Sequence, residues 1–238
     1  MLDFILSTCC HRGVEGKTNW AIEKAHLGIR DIAWMWIPQI GDALIGRSRS
    51  IALSNFYWEN MAPYLIFLDS DIVFEPDHLK RLYRHLKSGY DLIGGVYTVR
   101  GAQQLAHYGL NGTILLDGKI QEIKYLSTGF MGISKKLVGK MVKELELPIC
   151  NENDWGKCYP FFENTRYQDP DSGWIYISED WDFCNKARLV GVKPYLDTSI
   201  RLEHQGVKLW TVEDHMRIQK AQEDVGEALP LQSVQKNK

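Results

Sequence analysis

Asp69 and Asp71 stand one residue apart at the end of the apolar run Tyr64-Leu65-Ile66-Phe67-Leu68. Two carboxylates at that spacing offer hard anionic oxygens to Mg²⁺ or Mn²⁺, and such an ion suits a phosphate-bearing ligand. Alternate side chains of an extended chain share a face, so the pair is expected to point the same way. Alone, Asp-x-Asp is more often a solvated turn, and its weight comes from its company. A second acidic pair, Glu179-Asp180, stands where a helix is expected to begin. Carboxylates are favoured there by the helix dipole and by capping alone.

The elements that must position these groups alternate along the chain. Leu2 to Ser7 reads as an opening strand, followed by a polar turn from Cys10 to Lys17 and a helix from near Thr18. Ile32 to Ile37 reads as a second strand closed by Pro38, and Arg47 to Asn60 as a helix with Ala52, Leu53, Phe56 and Tyr57 on one side. The run into Asp69 has the pattern of a strand buried on both faces. Pro76 suits the first turn of a helix whose stripe is Leu79, Leu82, Tyr83 and Leu86, and Gly89 suits its end. Asp91 to Tyr97 is the next strand. This β-α-β-α-β order predicts a mainly parallel sheet with helices on both faces.

After Val99 the texture changes. Gly112 to Leu116 and Gln121 to Leu126 read as short β pieces joined by an Asp117-Gly118 turn. Asn151 to Gly173 reads as a long functional loop. A helix follows from about Glu179 to Val190, burying Phe183, Cys184, Ala187 and Val190. Thr211 and Asp214 fit a capping box opening a last helix, and the tail from Gly226 is expected to fray.

Composition narrows the class. The chain has 238 residues, 45% of them hydrophobic and 24% charged, which is ordinary for a soluble globular protein. A formal charge of −2 gives no broad electrostatic reason to bind nucleic acid or an anionic membrane. No window approaches the roughly 20 apolar residues of a membrane span, and the amino terminus lacks the pattern of a signal peptide. Cys9, Cys10, Cys150, Cys158 and Cys184 form an odd set without CxxC spacing. Free thiols in a reducing cytosol account for them, with a Cys150–Cys158 bridge left open. The expected location is cytoplasmic.

The order of five features resembles the nucleotide-sugar-dependent glycosyltransferases of the GT-A fold, most nearly those of family 2. They are Arg47-Ser48-Arg49 on a helix, Phe67-Leu68-Asp69-Ser70-Asp71, Ser127-Thr128-Gly129-Phe130, Ser178-Glu179-Asp180-Trp181-Asp182-Phe183-Cys184, and Asp197 to His204. Singly each is weak, but their order and spacing are specific. The resemblance covers roughly residues 2 to 210 and implies a Rossmann-like α/β fold with a smaller acceptor-side sheet. It implies one domain over residues 1–225: a nucleotide-binding half at 1–99, an acceptor-binding half at 100–210, and a closing helix at 211–225.

From the resemblance, Asp69-Ser70-Asp71 is a DxD motif holding Mn²⁺ or Mg²⁺ against the donor diphosphate. Asp71 is then the more direct ligand, and His204 is a further one. Imidazole suits Mn²⁺ better than Mg²⁺. Asp180 corresponds to the general base of inverting members, with Glu179 contacting acceptor or bracing the loop, and Asp182 structural. The donor, expected to be a UDP-sugar, would meet Ser7, Thr8 and Arg12, then Gln39 or Asp42, and an arginine for its phosphates, Arg49 before Arg47. Gly129 would let the backbone approach the ligand. Phe130, Trp155, Tyr159, Phe161, Phe162 and Trp174 would offer aromatic faces to a glycan or another hydroxyl-bearing acceptor, or else form a small core.

The Cys9-Cys10-His11-Arg12 stretch after the first strand departs from the family, so base recognition transfers poorly. The lack of membrane-anchoring helices after the final strand argues against a processive polymer synthase. Two other readings stand beside this one: a degenerate, non-catalytic sugar- or nucleotide-binding module, and a sugar-1-phosphate nucleotidyltransferase. The latter usually carries a glycine-rich basic loop, which His11 to Lys17 only poorly imitates.

Overall fold

A computed structural model describes residues 1–101, 104–169, 173–206 and 209–225. In chain order the elements are β1 (Phe4–Cys10), α1 (Gly16–Gly28), β2 (Trp34–Ile40), α2 (Ile45–Glu59), β3 (Tyr64–Leu68), β4 (Ile72–Val73) and α3 (Pro76–Lys87). There follow β5 (Leu92–Val96), β6 (Tyr108–Gly109), β7 (Ile120–Tyr125), β8 (Phe130–Ser134), α4 (Lys135–Glu144), β9 (Thr165–Asp169) and β10 (Gly173–Ile177). The last are α5 (Glu179–Leu189), β11 (Tyr195–Arg201), β12 (Glu203–Gln205), β13 (Leu209–Trp210) and α6 (Val212–Val225). Among the described residues no helix is long and apolar enough to cross a membrane. The tail expected to fray from Gly226 lies outside the described residues.

An eight-stranded sheet runs β2-β1-β3-β8-β5-β11-β7-β6. β2, β1, β3, β5 and β11 share one direction; β8 is wedged antiparallel between β3 and β5, and β7 runs antiparallel beside β11. The sheet is therefore mixed around a parallel majority.

Strand β3 explains why both faces need covering. Leu65 and Phe67 pack with Leu53 and Phe56 of α2, Leu137 and Met141 of α4, and Phe183 and Ala187 of α5. Ile66 and Leu68 pack on the other face with Ala21 and Ile22 of α1 and with Leu79, Leu82 and Leu86 of α3. α3 follows its sequence signals closely. Glu75 and His78 form a reciprocal cap, Pro76 sits in the first turn, and Gly89 follows the end at φ 108°.

Several expectations need correction. β2 runs on through Pro38 to Ile40, in register with Thr8 and Cys10 of β1. It is an edge strand, where a missing N–H need cost no ladder bond. The expected hairpin at Asp117-Gly118 does not form. The Gln121 amide instead bonds the Leu115 N–H and carbonyl, in place of a paired strand, and Tyr108–Gly109 pairs with β7. The expected loop from Asn151 to Gly173 includes β9, which pairs with β10 as an antiparallel hairpin. Cys150 and Cys158 exchange both backbone hydrogen bonds across an isolated bridge, but their thiols are free.

A three-stranded sheet, β13-β12-β4, stands beside the large one. In it Ile72 pairs with His204 and Val73 with Glu203, which fixes the chain after Asp71 against the chain around His204. Thr211 and Asp214 form the expected reciprocal cap before α6.

Candidate functional site

A cleft of about 270 Å³ opens at the carboxyl edge of β1 and β3. Cys9 and Cys10 of β1, Arg49 of α2, the turn Asp69-Ser70-Asp71, and Arg100 line it. Asp69 and Asp71 do not share a face through strand alternation, as the sequence suggested. β3 ends at Leu68, and the Ile72 N–H closes a turn onto the Asp69 carbonyl at 3.3 Å. Three distant segments hold that turn. The Asp69 N–H donates to the Gly129 carbonyl at 3.0 Å, the Glu15 N–H to Ser70 at 2.8 Å, and the Gln205 N–H to Asp71 at 2.7 Å. Both aspartates reach the cleft because the turn is clamped.

Arg49 is the electrostatic hinge between the two acidic motifs. Its guanidinium donates to Asp69 Oδ1 at 2.7 Å and to Glu179 Oε1 at 2.6 Å, although these residues are 20 and 130 positions away in the chain. Only 7% of its side chain is exposed. Burial disfavours the charge, but Asp69 and Glu179 outweigh it and raise the Arg49 pKa further. Its place in the fold is therefore that of a clamp on the two carboxylates, with Nη1 on Glu179 and Nη2 on Asp69.

Asp180 follows Glu179 in the first turn of α5 and is half-buried. Its Oδ1 accepts from the Trp181 N–H at 2.9 Å and from the Ser178 hydroxyl. Tyr97 lies beneath the same region. Burial, and then the charges of Asp69 and Asp180, push its phenol well above its ordinary pKa. The Tyr97 hydroxyl accepts from the Gly129 N–H at 2.8 Å, and a Cβ added at Gly129 would stand 2.5 Å from that hydroxyl oxygen. Glycine at 129 thus makes room for Tyr97. Asp182 turns away to Thr165 and Lys186 and is structural.

Asp71 is 5% exposed, and its Oδ2 faces His204 Nε2 at 3.2 Å. His204 Nδ1 lies 2.7 Å from the Thr98 carbonyl, which can only accept, so that nitrogen carries the proton. Burial pushes the His204 pKa down, against the Thr98 bond. A carboxylate oxygen beside an imidazole nitrogen that a backbone carbonyl orients is the arrangement of a metal-ligand pair with its outer support. Among the described residues no group of three or more His, Cys, Asp and Glu side chains converges to cage an ion. The two groups fit a divalent ion as a partial shell, which oxygens of a bound phosphate or water would complete.

The remaining residues divide by burial. Ser7 and Thr8 are buried, and the Thr8 hydroxyl accepts from the Trp36 indole at 3.1 Å. Gln39 donates to the Ser48 carbonyl at 3.1 Å, and Asp42 takes a two-pronged bond from Arg47. Arg12 is exposed in the turn after β1. Phe130, Phe161 and Phe162 belong to the core, which removes them from any acceptor surface, and Tyr159 is half-buried against Tyr57 and Trp58. Trp155 and Trp174 are exposed at 67% and 68%. Trp174 shares the exposed face of the β9–β10 hairpin with Tyr176, Arg166 and Gln168.

Sequence reasoning missed Tyr97, Thr98 and Arg100. All three follow β5 on the sheet edge that also ends in Asp69, which is the signal that pointed to them.

Residues 45–141 match the family model described as Glycosyl transferase family 2. That match takes in Arg49, the Asp69–Asp71 turn, Tyr97, Arg100 and Gly129, and stops before Glu179 and His204. No curated protein matches the chain. The crystal structure of A197 from STIV covers 85% of this chain and 85% of its own, at 17% identity and a TM-score of 0.56. Identity that low speaks for the fold alone, and the fold, with its sheet order, is GT-A.

Proposed function

We propose, from the family 2 match over residues 45–141 and the ion pairs that join its Arg49 to Glu179 and its Asp71 to His204, that this chain is a nucleotide-sugar-dependent glycosyltransferase. The donor is a UDP-sugar, the acceptor a hydroxyl, and the transfer inverting. One observation carries the reading: Arg49 ties Asp69 to Glu179, so the proposed donor motif and the base-bearing helix form one charged unit.

In this reading residues 1–99 carry the donor and residues 100–210 the acceptor, within one domain over 1–225. Asp71 and His204 would hold Mn²⁺ or Mg²⁺. A divalent ion there offsets negative charge developing on the diphosphate leaving group. Asp180 takes the proton of the attacking hydroxyl, a contribution of about 10²–10⁴-fold for a positioned base. Its Oδ1 is already engaged by Ser178 and Trp181, which fixes the carboxylate and leaves Oδ2 for that proton. Glu179, pinned by Arg49, braces the start of α5. Ser70 and Arg12 remain as donor contacts, and the Trp155 and Trp174 faces as acceptor contacts.

Calorimetric titration with UDP and with GDP, each with Mn²⁺ and with chelator, tests the donor site. The expected outcome is UDP binding that requires Mn²⁺ and is abolished in Asp71→Ala. No binding of either nucleotide under both conditions removes the donor site and leaves a non-catalytic sugar-binding module.

A further inference from the structure

Two arginines line the cleft, and only one is committed. Arg49 is buried between Asp69 and Glu179, whereas the Arg100 side chain is 59% exposed. Arg100 follows a backbone segment that is held in place at residues 97–99. Thr98 bridges Leu105 below it, the Val99 N–H donates to Gln104 at 2.8 Å, and the Ala106 N–H donates to Tyr97 at 3.0 Å. From there its guanidinium reaches Asp71 Oδ2, the oxygen that also faces His204 Nε2.

That oxygen is crowded with electron pairs. The Thr98 carbonyl holds the proton on His204 Nδ1, so Nε2 presents a lone pair to Asp71. A lone pair and a carboxylate 3.2 Å apart repel unless a cation stands beside both. Arg100 is that cation here. Its planar fork also suits the two terminal oxygens of a diphosphate, and its exposure leaves it free to swing.

We propose that Arg100 is a displaceable cation of the donor site, neutralising Asp71 until a divalent ion binds there and then turning to the donor diphosphate. The inference rests on the proposed donor site and adds a residue to it. Arg100 competes with the ion for one oxygen and cooperates with it on the other ligand. Its removal therefore moves two affinities in opposite directions.

The test uses the full chain as wild type, Arg100→Ala, Arg100→Lys and Asp71→Asn. Free Mn²⁺ is followed by electron paramagnetic resonance without nucleotide, and UDP by calorimetry at saturating Mn²⁺. In Arg100→Ala, Mn²⁺ alone is expected to bind at least about threefold tighter, as loss of an exposed ion pair allows. UDP is expected to bind about tenfold weaker, as loss of one charge-assisted contact implies. Arg100→Lys should fall between, and Asp71→Asn should weaken both. Unchanged affinities in Arg100→Ala, or a shift of both in one direction, overturn the proposal while wild-type binding leaves the donor site standing. A wild-type chain that binds neither Mn²⁺ nor UDP removes the donor site and this role together.

Discussion

Arg49 and Arg100 reach the Asp69–Asp71 turn from different segments, one with 7% of its side chain exposed and the other with 59%. Arg49 answers two carboxylates at once, and burial between them makes each bond short and costly to lose. Arg100 answers one carboxylate at the mouth of the cleft, where solvent screens the pair and weakens it. The same functional group thus serves as a fixed strut in one place and a mobile counter-charge in the other. What separates them is the number of opposing charges and the access of water.

The comparison breaks first at Arg49. Replacing it by methionine leaves Asp69 and Glu179 partly buried without their cation, and Asp69 and the start of α5 lose their tie. Stability should fall by about 3–5 kcal/mol, the range for one partner removed from a buried ion pair. Arg100→Ala should cost less than about 0.5 kcal/mol in the same urea titration. Similar losses in the two variants would mean that burial does not distinguish them.

Asp180→Asn asks whether the unit that Arg49 assembles does chemistry. Asparagine keeps the shape and the bond from the Trp181 N–H, but cannot take a proton at neutral pH. Transfer should drop by about 10² or more, with UDP affinity held within twofold or so. Full transfer in this variant would exclude Asp180 as the base.

Much of the frame was legible because burial on two faces writes itself into sequence. Leu65 to Leu68 has no polar residue to give solvent, and α3 carries its stripe, proline and glycine in the expected places. The site was legible in its residue types but not in its pairings. Nothing near Arg49 in sequence says that its partners are 20 and 130 residues away. Strand β8 escaped because Gly132 interrupts the apolar run of Phe130–Ser134, leaving no stretch as long as that of β3. Aromatic residues gave the poorest guide. Phe161 and Phe162 serve the core and Trp174 the surface, and composition alone does not tell them apart.

His107 sharpens the contrast from the opposite direction. It is buried like Arg49 but has no carboxylate partner among the described residues, and burial pushes its pKa down to about 3. The ring stays neutral and accepts from the Ser127 N–H at 3.1 Å. Below its ordinary value the unfolded chain binds a proton that the native chain does not, so stability rises with pH and is lost as pH falls. Between pH 6 and 4.5 the loss should be about 1 kcal/mol per pH unit from this group. In His107→Asn the slope of stability against pH over that window should flatten by that amount. An unchanged slope would mean that His107 is protonated in the fold, and that burial without a counter-charge does not decide the charge state here.

The smallest effect is expected where two tryptophans repeat the contrast at the proposed acceptor side. Trp155 lies 4.7 Å beneath the Arg47 guanidinium, itself held by Asp42, whereas Trp174 meets Arg166 at a looser 5.6 Å. Trp174 and Tyr176 sit two positions apart on one exposed face of β10, with Arg166 and Gln168 opposite them. An exposed hairpin face gains nothing for folding by being aromatic, but such faces pack on the apolar side of a sugar ring. β10 runs directly into Ser178, Glu179 and Asp180, so a sugar resting on this face is close in the chain to the proposed base. Trp174→Ala should raise the acceptor KM about three- to tenfold with kcat and UDP affinity held, the mark of lost uniform binding. Trp155→Ala should change KM less, since its face is already occupied by Arg47. Equal effects from the two would place the acceptor across both loops and not on the hairpin.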